Sequence, residues 1–171
     1  WLDVREYLQS SASDASLPEA KQFLSAQVEH GEDASMQAAL ASIDADVVLT
    51  QGFIASNAAG ETVLLGRGGS DTSAACLAAR IGAVRCEIWT DVPGMYSANP
   101  HQIPEARLLR ALDYDEAQEL ASTGAKVLHP RCLAPVREAR IPLHVRCTSR
   151  PDRTGTIISS ESSGSEAQVK A

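Results

Sequence analysis

Apolar residues in this chain fall into short clusters broken by glycine, proline, asparagine and serine, and the clusters differ in period. Residues 45–50 (A-D-V-V-L-T) form a brief apolar run of buried-strand type, continued by Gly52, Phe53, Ile54 and Ala55. Residues 56–60 supply turn formers, and residues 62–65 return as a second strand, so the pair predicts a hairpin. From Asp71 to Ile81 the positions Ala74, Ala75, Leu77, Ala78 and Ile81 have helical spacing. Ser70 or Asp71 is expected to cap that helix and Gly82 to end it. Residues 86–89 predict another strand, and residues 90–100 a polar loop. Asp113 and Glu116 stand at capping-box spacing before a helix through Ala117, Leu120 and Ala121, closed at Gly124. Pro130 opens a further helix running to about residue 140. Residues 141–146 read as a strand, 149–155 as a turn and 156–158 as a last short strand, while residues 1–45 are mixed and mostly helical. This alternation predicts an α/β fold with a largely parallel sheet.

Composition narrows the function classes. At 171 residues the chain is about one domain long and can bury a sizeable core. Aromatics are only 4% of it, so the core rests on Ala, Val, Leu and Ile. A net charge of -7, with no run of basic residues, argues against nucleic acid as a partner. Cys76, Cys86, Cys132 and Cys147 show no C-x-x-C spacing, and reduced, packed thiols are expected. No apolar run reaches the roughly 18 residues a membrane span needs, so no membrane partner and a cytoplasmic location are expected. Both ends read as cuts. The Ser/Glu/Gly stretch after residue 158 is expected to be a linker that leads, at Gln168-Val169-Lys170-Ala171, into a following domain.

Three segments carry candidate chemistry. In Gly66-Arg67-Gly68-Gly69-Ser70-Asp71, three glycines in four positions let a ligand approach the backbone closely. The helix behind presents free N–H groups and a partial positive charge. Arg67 adds a planar fork for carboxylate or phosphate, and Asp71 a carboxylate for an ammonium. The segment is neither a Walker A loop nor a dinucleotide fingerprint, because the required spacings fail. Its alternative is a plain tight turn with a solvated Arg and a capping Asp. Second, Thr90 and Asp91 stand where a strand ends, the usual ligand edge of an open α/β sheet, and Tyr96 follows in the loop. A capping Asp and a packed Tyr remain the alternative there. Third, Lys126 in Gly124-Ala125-Lys126-Val127-Leu128-His129-Pro130 reads as a phosphate-binding cation or as a solvated surface residue. His129 reads as structural.

Taken in order, Thr50-Gln51-Gly52-Phe53-Ile54, G-R-G-G-S-D at 66–71, W-T-D-V-P-G-M-Y at 89–96, G-A-K-V-L-H-P-R at 124–131 and G-T-I-I at 155–158 resemble the aspartokinase branch of the amino acid kinase superfamily. The likeness covers roughly residues 45–158, and G-R-G-G-S-D separates aspartokinases from acetylglutamate, carbamate and uridylate kinase relatives. The resemblance implies a three-layer αβα sandwich, with residues 1–158 forming the C-terminal part of the catalytic domain and residues 159–171 leading to an ACT-type regulatory domain. It implies transfer of the ATP γ-phosphoryl group, with Mg²⁺, to the side-chain carboxylate of L-aspartate, which opens the route to lysine, threonine and methionine. It also implies an allosteric homo-oligomer.

Carried over by motif, Arg67 would grip the aspartate carboxylate, with Gly68, Gly69 and Ser70 lining its site and Phe53 packing beside it. Asp71 would contact the substrate ammonium or organise the catalytic groups. Thr90, Asp91 and Tyr96 would hold the nucleoside, and Lys126 and Val127 would meet the phosphates. No metal ligands are expected from the protein itself. The family's opening K-F-G-G-[TS] segment has no counterpart here, so the chain is expected to be inactive alone. Asn99-Pro100-His101 stands where many members have D-P-R, so His101 replaces a nucleotide-binding Arg. Another amino acid kinase with a different carboxylate acceptor, or a non-catalytic nucleotide-binding or assembly module, are the competing readings.

Overall fold

The computed structural model describes residues 1–11, 18–123 and 127–160. It divides into two compact units, Trp1–Ala83 and Val84–Ala171.

The first unit opens with a 3-10 turn, Val4–Glu6, followed by α1 (Glu19–Leu24) and α2 (Ala34–Ala41). The hairpin predicted between residues 52 and 65 is present. β1 (Ile54–Ser56) pairs antiparallel with β2 (Thr62–Leu64), and Ala55 faces Val63. Val4, Leu8, Ala26, Ala55, Val63, Leu65 and Cys76 form one buried cluster, with Phe23, Val28, Ile54 and Leu77 packed against it. Full burial of such aliphatic side chains contributes about 1.5–3 kcal/mol each, so this cluster holds the hairpin and the helices together.

The last helix of this unit, α3, spans Gly69–Ile81 and ends at Gly82 in the left-handed region, as its spacing predicts. Its start differs from expectation. Gly68, at φ 67°, is the N-cap, so Ser70 and Asp71 lie inside the first turn, past the capping position. The Gly68 carbonyl accepts from both the Thr72 N–H (2.9 Å) and the Thr72 hydroxyl (2.8 Å), which begins the winding before either polar side chain. The run at 45–50 also differs. Among the described residues it forms no strand, and Val47 and Leu49 are 75% and 65% exposed. A strand needs a hydrogen-bonded neighbour. Here the run meets an isolated parallel bridge between Leu2 and Thr50, with the Leu2 N–H donating to the Leu49 carbonyl.

The second unit is built on a four-stranded sheet in the order β3 (Cys86–Thr90), β5 (Leu143–Cys147), β6 (Thr156–Ile158), β4 (Ala111–Leu112). β3 runs parallel to β5 and β4 parallel to β6, while β5 and β6 are antiparallel. The mixed α/β class with a mostly parallel sheet is therefore as predicted, although the two-residue β4 is too short to leave a periodic signal. Burial alternates along the parallel pair: Cys86, Ile88, Leu143, Val145 and Cys147 are buried, and Glu87, Trp89, His144 and Arg146 point the other way.

α4 (Tyr114–Ser122) carries the predicted capping box. The Glu116 N–H donates to the Asp113 carboxylate at 2.7 Å, and the Asp113 N–H donates to the Glu116 carboxylate at 3.0 Å. The helix expected from Pro130 appears as a 3-10 turn, Pro130–Cys132, running into α5 (Leu133–Glu138). The Tyr114 hydroxyl donates to the Ile141 carbonyl at 2.8 Å and ties α4 to the approach to β5. All four cysteines are buried. Among the described residues no helix is long and apolar enough to cross a membrane. Gly124, expected to close α4, and the linker residues 161–171 lie outside the described residues.

Among the described glycines of this unit, Gly155 permits the closest backbone approach. It sits at φ 74°, and a Cβ there would collide with the Val145 carbonyl oxygen. Gly60, at φ 78°, has nothing within 4 Å of the same position. Gly60→Ala is expected to cost about 1 kcal/mol, for backbone strain alone. Gly155→Ala is expected to cost about 3 kcal/mol or more, lowering Tm by roughly 6–12 °C. Thermal unfolding of both variants checks this, and equal losses would contradict the packing described.

Candidate functional site

In the first unit the glycine turn is shaped by a residue outside it. Phe53 adopts φ 73°, a left-handed conformation that costs a side-chain-bearing residue about 1–2 kcal/mol. Both of its backbone groups are held: its N–H donates to the Ser73 hydroxyl at 3.1 Å, and its carbonyl accepts from the Leu65 N–H at 2.9 Å. The ring then lies directly on Gly69, where an added Cβ would come within 2.6 Å of it. Glycine at 69 is therefore a steric requirement. The Ser73 hydroxyl in turn donates to the Ser70 carbonyl at 2.9 Å, which binds the first turn of α3 to the 51–53 segment.

Phe53, Gly68, Gly69 and Ser70 are thus assembled into one patch, with Asp71 half-buried in the same turn. Arg67 is exposed and enters none of the ion pairs seen among the described residues. An exposed guanidinium beside a helix N-terminus, on a turn with little side-chain bulk, can receive a carboxylate or phosphate. Phe53, 37% exposed, gives that patch an apolar wall.

In the second unit Thr90 and Asp91 stand at the C-terminal end of β3, level with the end of β5. The Thr90 carbonyl accepts from both the Thr148 N–H (2.9 Å) and the Thr148 hydroxyl (3.1 Å). The Thr90 hydroxyl donates to the exposed Asp91 carboxylate at 3.1 Å. The Cys147 thiol lies 3.6 Å from the Asp91 carbonyl, and its hydrogen bond with Ser149 holds its pKa below the usual thiol range.

The loop that follows is pinned by Thr156, which is fully buried. Its hydroxyl accepts from the Met95 N–H at 2.9 Å and donates to the Leu109 carbonyl at 2.6 Å. Tyr96 is half-buried and bridges to Leu108. Thr90, Asp91 and Tyr96 therefore share one braced edge. Val127 is half-buried ahead of Leu128 and His129, and the His129 ring nitrogen Nδ1 accepts from the Arg131 N–H at 3.3 Å, a structural place. Lys126 lies outside the described residues.

On the opposite face of β3, burial pushes the Glu87 carboxyl up, but hydrogen bonds from Trp89, Arg146 and Arg85 outweigh it and hold the pKa below the ordinary range. Arg146 also stacks 4.6 Å from the centre of the Trp89 ring. A separate hollow of about 490 Å³, lined by Tyr114, Gln118, Leu133, Ala134, Arg137 and Glu138, includes none of the residues singled out from sequence. Among the described residues no group of three His, Cys, Asp or Glu converges as a metal-ligand set.

Two contributors escaped the sequence reading. Ser73 follows Ser70 by one helical turn, so the two share a face, but nothing local marks Phe53 as its partner. Thr156 stands in the quoted G-T-I-I motif, where a buried hydroxyl after a glycine was the available signal.

The profile of the amino acid kinase family matches residues 6–147. The bifunctional aspartokinase/homoserine dehydrogenase of Haemophilus influenzae is 49% identical over 140 residues, covering 81% of this chain and 17% of that protein. The aspartokinase of Rickettsia felis is 44% identical over 120 residues, 70% of this chain and 30% of its own length. Among solved structures, E. coli aspartokinase III in complex with aspartate and ADP superposes with a TM-score of 0.76 at 36% identity, covering 96% of this chain and 35% of that one. The chain thus spans a minor part of each relative. Matched through most of its length, it belongs to the amino acid kinase family, and the relatives named here are aspartokinases.

Proposed function

We propose that the whole protein containing this sequence is an aspartate kinase, which transfers the γ-phosphoryl group of ATP to the side-chain carboxylate of L-aspartate and gives 4-phospho-L-aspartate. The observation that carries this reading is the exposed Arg67 guanidinium on the glycine turn at the N-terminus of α3, walled by Phe53. The E. coli relative that binds aspartate and ADP supports it, as do curated aspartokinases at 44–49% identity.

Arg67 would grip a substrate carboxylate through paired N–H donors, and the opening amides of α3 would share its charge. Gly68, Gly69 and Ser70 would leave room for the amino acid, and Asp71 would meet its ammonium or organise the catalytic groups. Thr90, Asp91 and Tyr96 would hold the nucleoside, with Val127 and Lys126 at the phosphates. Aspartate is already ionised at neutral pH, so no general base is required. Catalysis then rests on aiming the carboxylate oxygen at the γ-phosphorus and offsetting like charge, for which Lys126 is the proposed side chain. Mg²⁺ bound with ATP would add further charge neutralisation at the phosphates. Cytoplasmic location, homo-oligomeric assembly, allosteric control and a place in lysine, threonine and methionine synthesis belong to the same proposal, supported by the family resemblance.

A product assay of the whole protein with ATP and aspartate, glutamate derivatives or carbamate tests the reading; phosphorylation of another acceptor in preference to aspartate would refute it. Arg67→Ala is expected to raise the aspartate KM roughly 30-fold, from about 2 kcal/mol of charge-assisted hydrogen bonding, while the ATP KM changes little. Equal rises in both would remove Arg67 from the acceptor site. Lys126→Ala is expected to lower kcat about 100-fold with modest KM changes. Unchanged turnover in steady-state kinetics would remove Lys126 from its role.

A further inference from the structure

We infer that Ser73 is a positioning residue for the acceptor site: its hydroxyl fixes the left-handed turn at Phe53 and the first turn of α3 as one unit. The inference rests on the aspartate kinase reading above. Ser73 is 1% exposed, so its side chain faces the interior and does not touch a substrate. Its hydroxyl makes two hydrogen bonds of opposite sense, accepting from the Phe53 N–H at 3.1 Å and donating to the Ser70 carbonyl at 2.9 Å. The hydroxyl thereby donates and accepts at once, and its bond with Phe53 spans 20 residues of sequence.

The consequence of losing it falls on particular atoms. Phe53 stands at φ 73°, a conformation its side chain disfavours, and the Ser73 hydroxyl is what accepts its N–H. Without that acceptor the turn keeps only the Leu65 bond against relaxation to negative φ, and relaxation takes the ring off Gly69 and removes the apolar wall beside Arg67. Gly52 repeats the dependence, since a Cβ there would lie 3.3 Å from the same hydroxyl. Ser73→Ala removes one hydroxyl and leaves the apolar cluster of the unit intact, so the loss falls first on the Phe53 turn and the start of α3.

The test is steady-state kinetics of the whole protein. Ser73→Ala is expected to raise the aspartate KM about tenfold, with kcat and the ATP KM within about twofold. Ser73→Cys, close in volume but a weaker acceptor, is expected to move the same constant in the same direction and keeps the test alive should the alanine variant fold poorly. Phe53→Gly supplies the decisive background, because glycine takes φ 73° without strain. There the aspartate KM rises from loss of the ring, and adding Ser73→Ala is expected to raise it less than about twofold further. The inference is overturned if Ser73→Ala and Ser73→Cys leave the aspartate KM unchanged, shift all three constants alike, or act with full additivity on Phe53→Gly. A parent protein with no aspartate-dependent turnover would instead defeat the aspartate kinase reading itself, and the inference with it.

Discussion

Phe53 and Gly69 compete for the same space, and the ring occupies it. A Cβ at position 69 would sit within 2.6 Å of the Phe53 ring, so the glycine turn can close over that ring when residue 69 has no side chain. The ring reaches its place because Phe53 holds a left-handed backbone conformation, at a cost of about 1–2 kcal/mol. Hydrogen bonds from its N–H to Ser73 and to its carbonyl from Leu65 oppose that cost, each worth about 1 kcal/mol net. The terms nearly cancel. The turn therefore holds through those two bonds together with the buried cluster of the first unit, which fixes β2 and α3 on either side of it.

The second unit solves a related problem with different residues. Its loop after β3 has to lie against the sheet edge while keeping Thr90, Asp91 and Tyr96 in place. Gly155 lets the chain pass the Val145 carbonyl, and Gly94 lets it pass the Thr156 hydroxyl, which a Cβ would approach to 2.5 Å. Thr156 then satisfies a donor and an acceptor that the crossing leaves behind. In both units a glycine makes room and a buried hydroxyl joins two distant strands of backbone. Such sites are sensitive to one added carbon atom and tolerant of change on their exposed faces.

Local signals were legible where a few adjacent residues decide the outcome. The hairpin at 54–64, the Asp113–Glu116 capping box and the Gly82 helix end all belong to that kind, and each stands where the pattern put it. The start of α3 was misplaced because a left-handed glycine can cap a helix with no side chain, so polar Ser70 and Asp71 drew attention away from Gly68. The run at 45–50 has a strand's composition, yet a strand is made by its neighbour, and composition carries no information about that neighbour. In the candidate site, Arg67 and the glycines were readable from their chemistry. Ser73 was not, because its partner lies 20 residues away and their meeting depends on the hairpin between them.

The account stands on Arg67 and the Phe53-backed turn receiving an amino acid carboxylate. A crystal structure of the whole protein with bound L-aspartate examines that most directly. The account predicts a substrate carboxylate within about 3 Å of the Arg67 guanidinium nitrogens, with the Phe53 ring still on Gly69. Aspartate bound away from residues 66–71, or Arg67 turned from a ligand seated there, would contradict it.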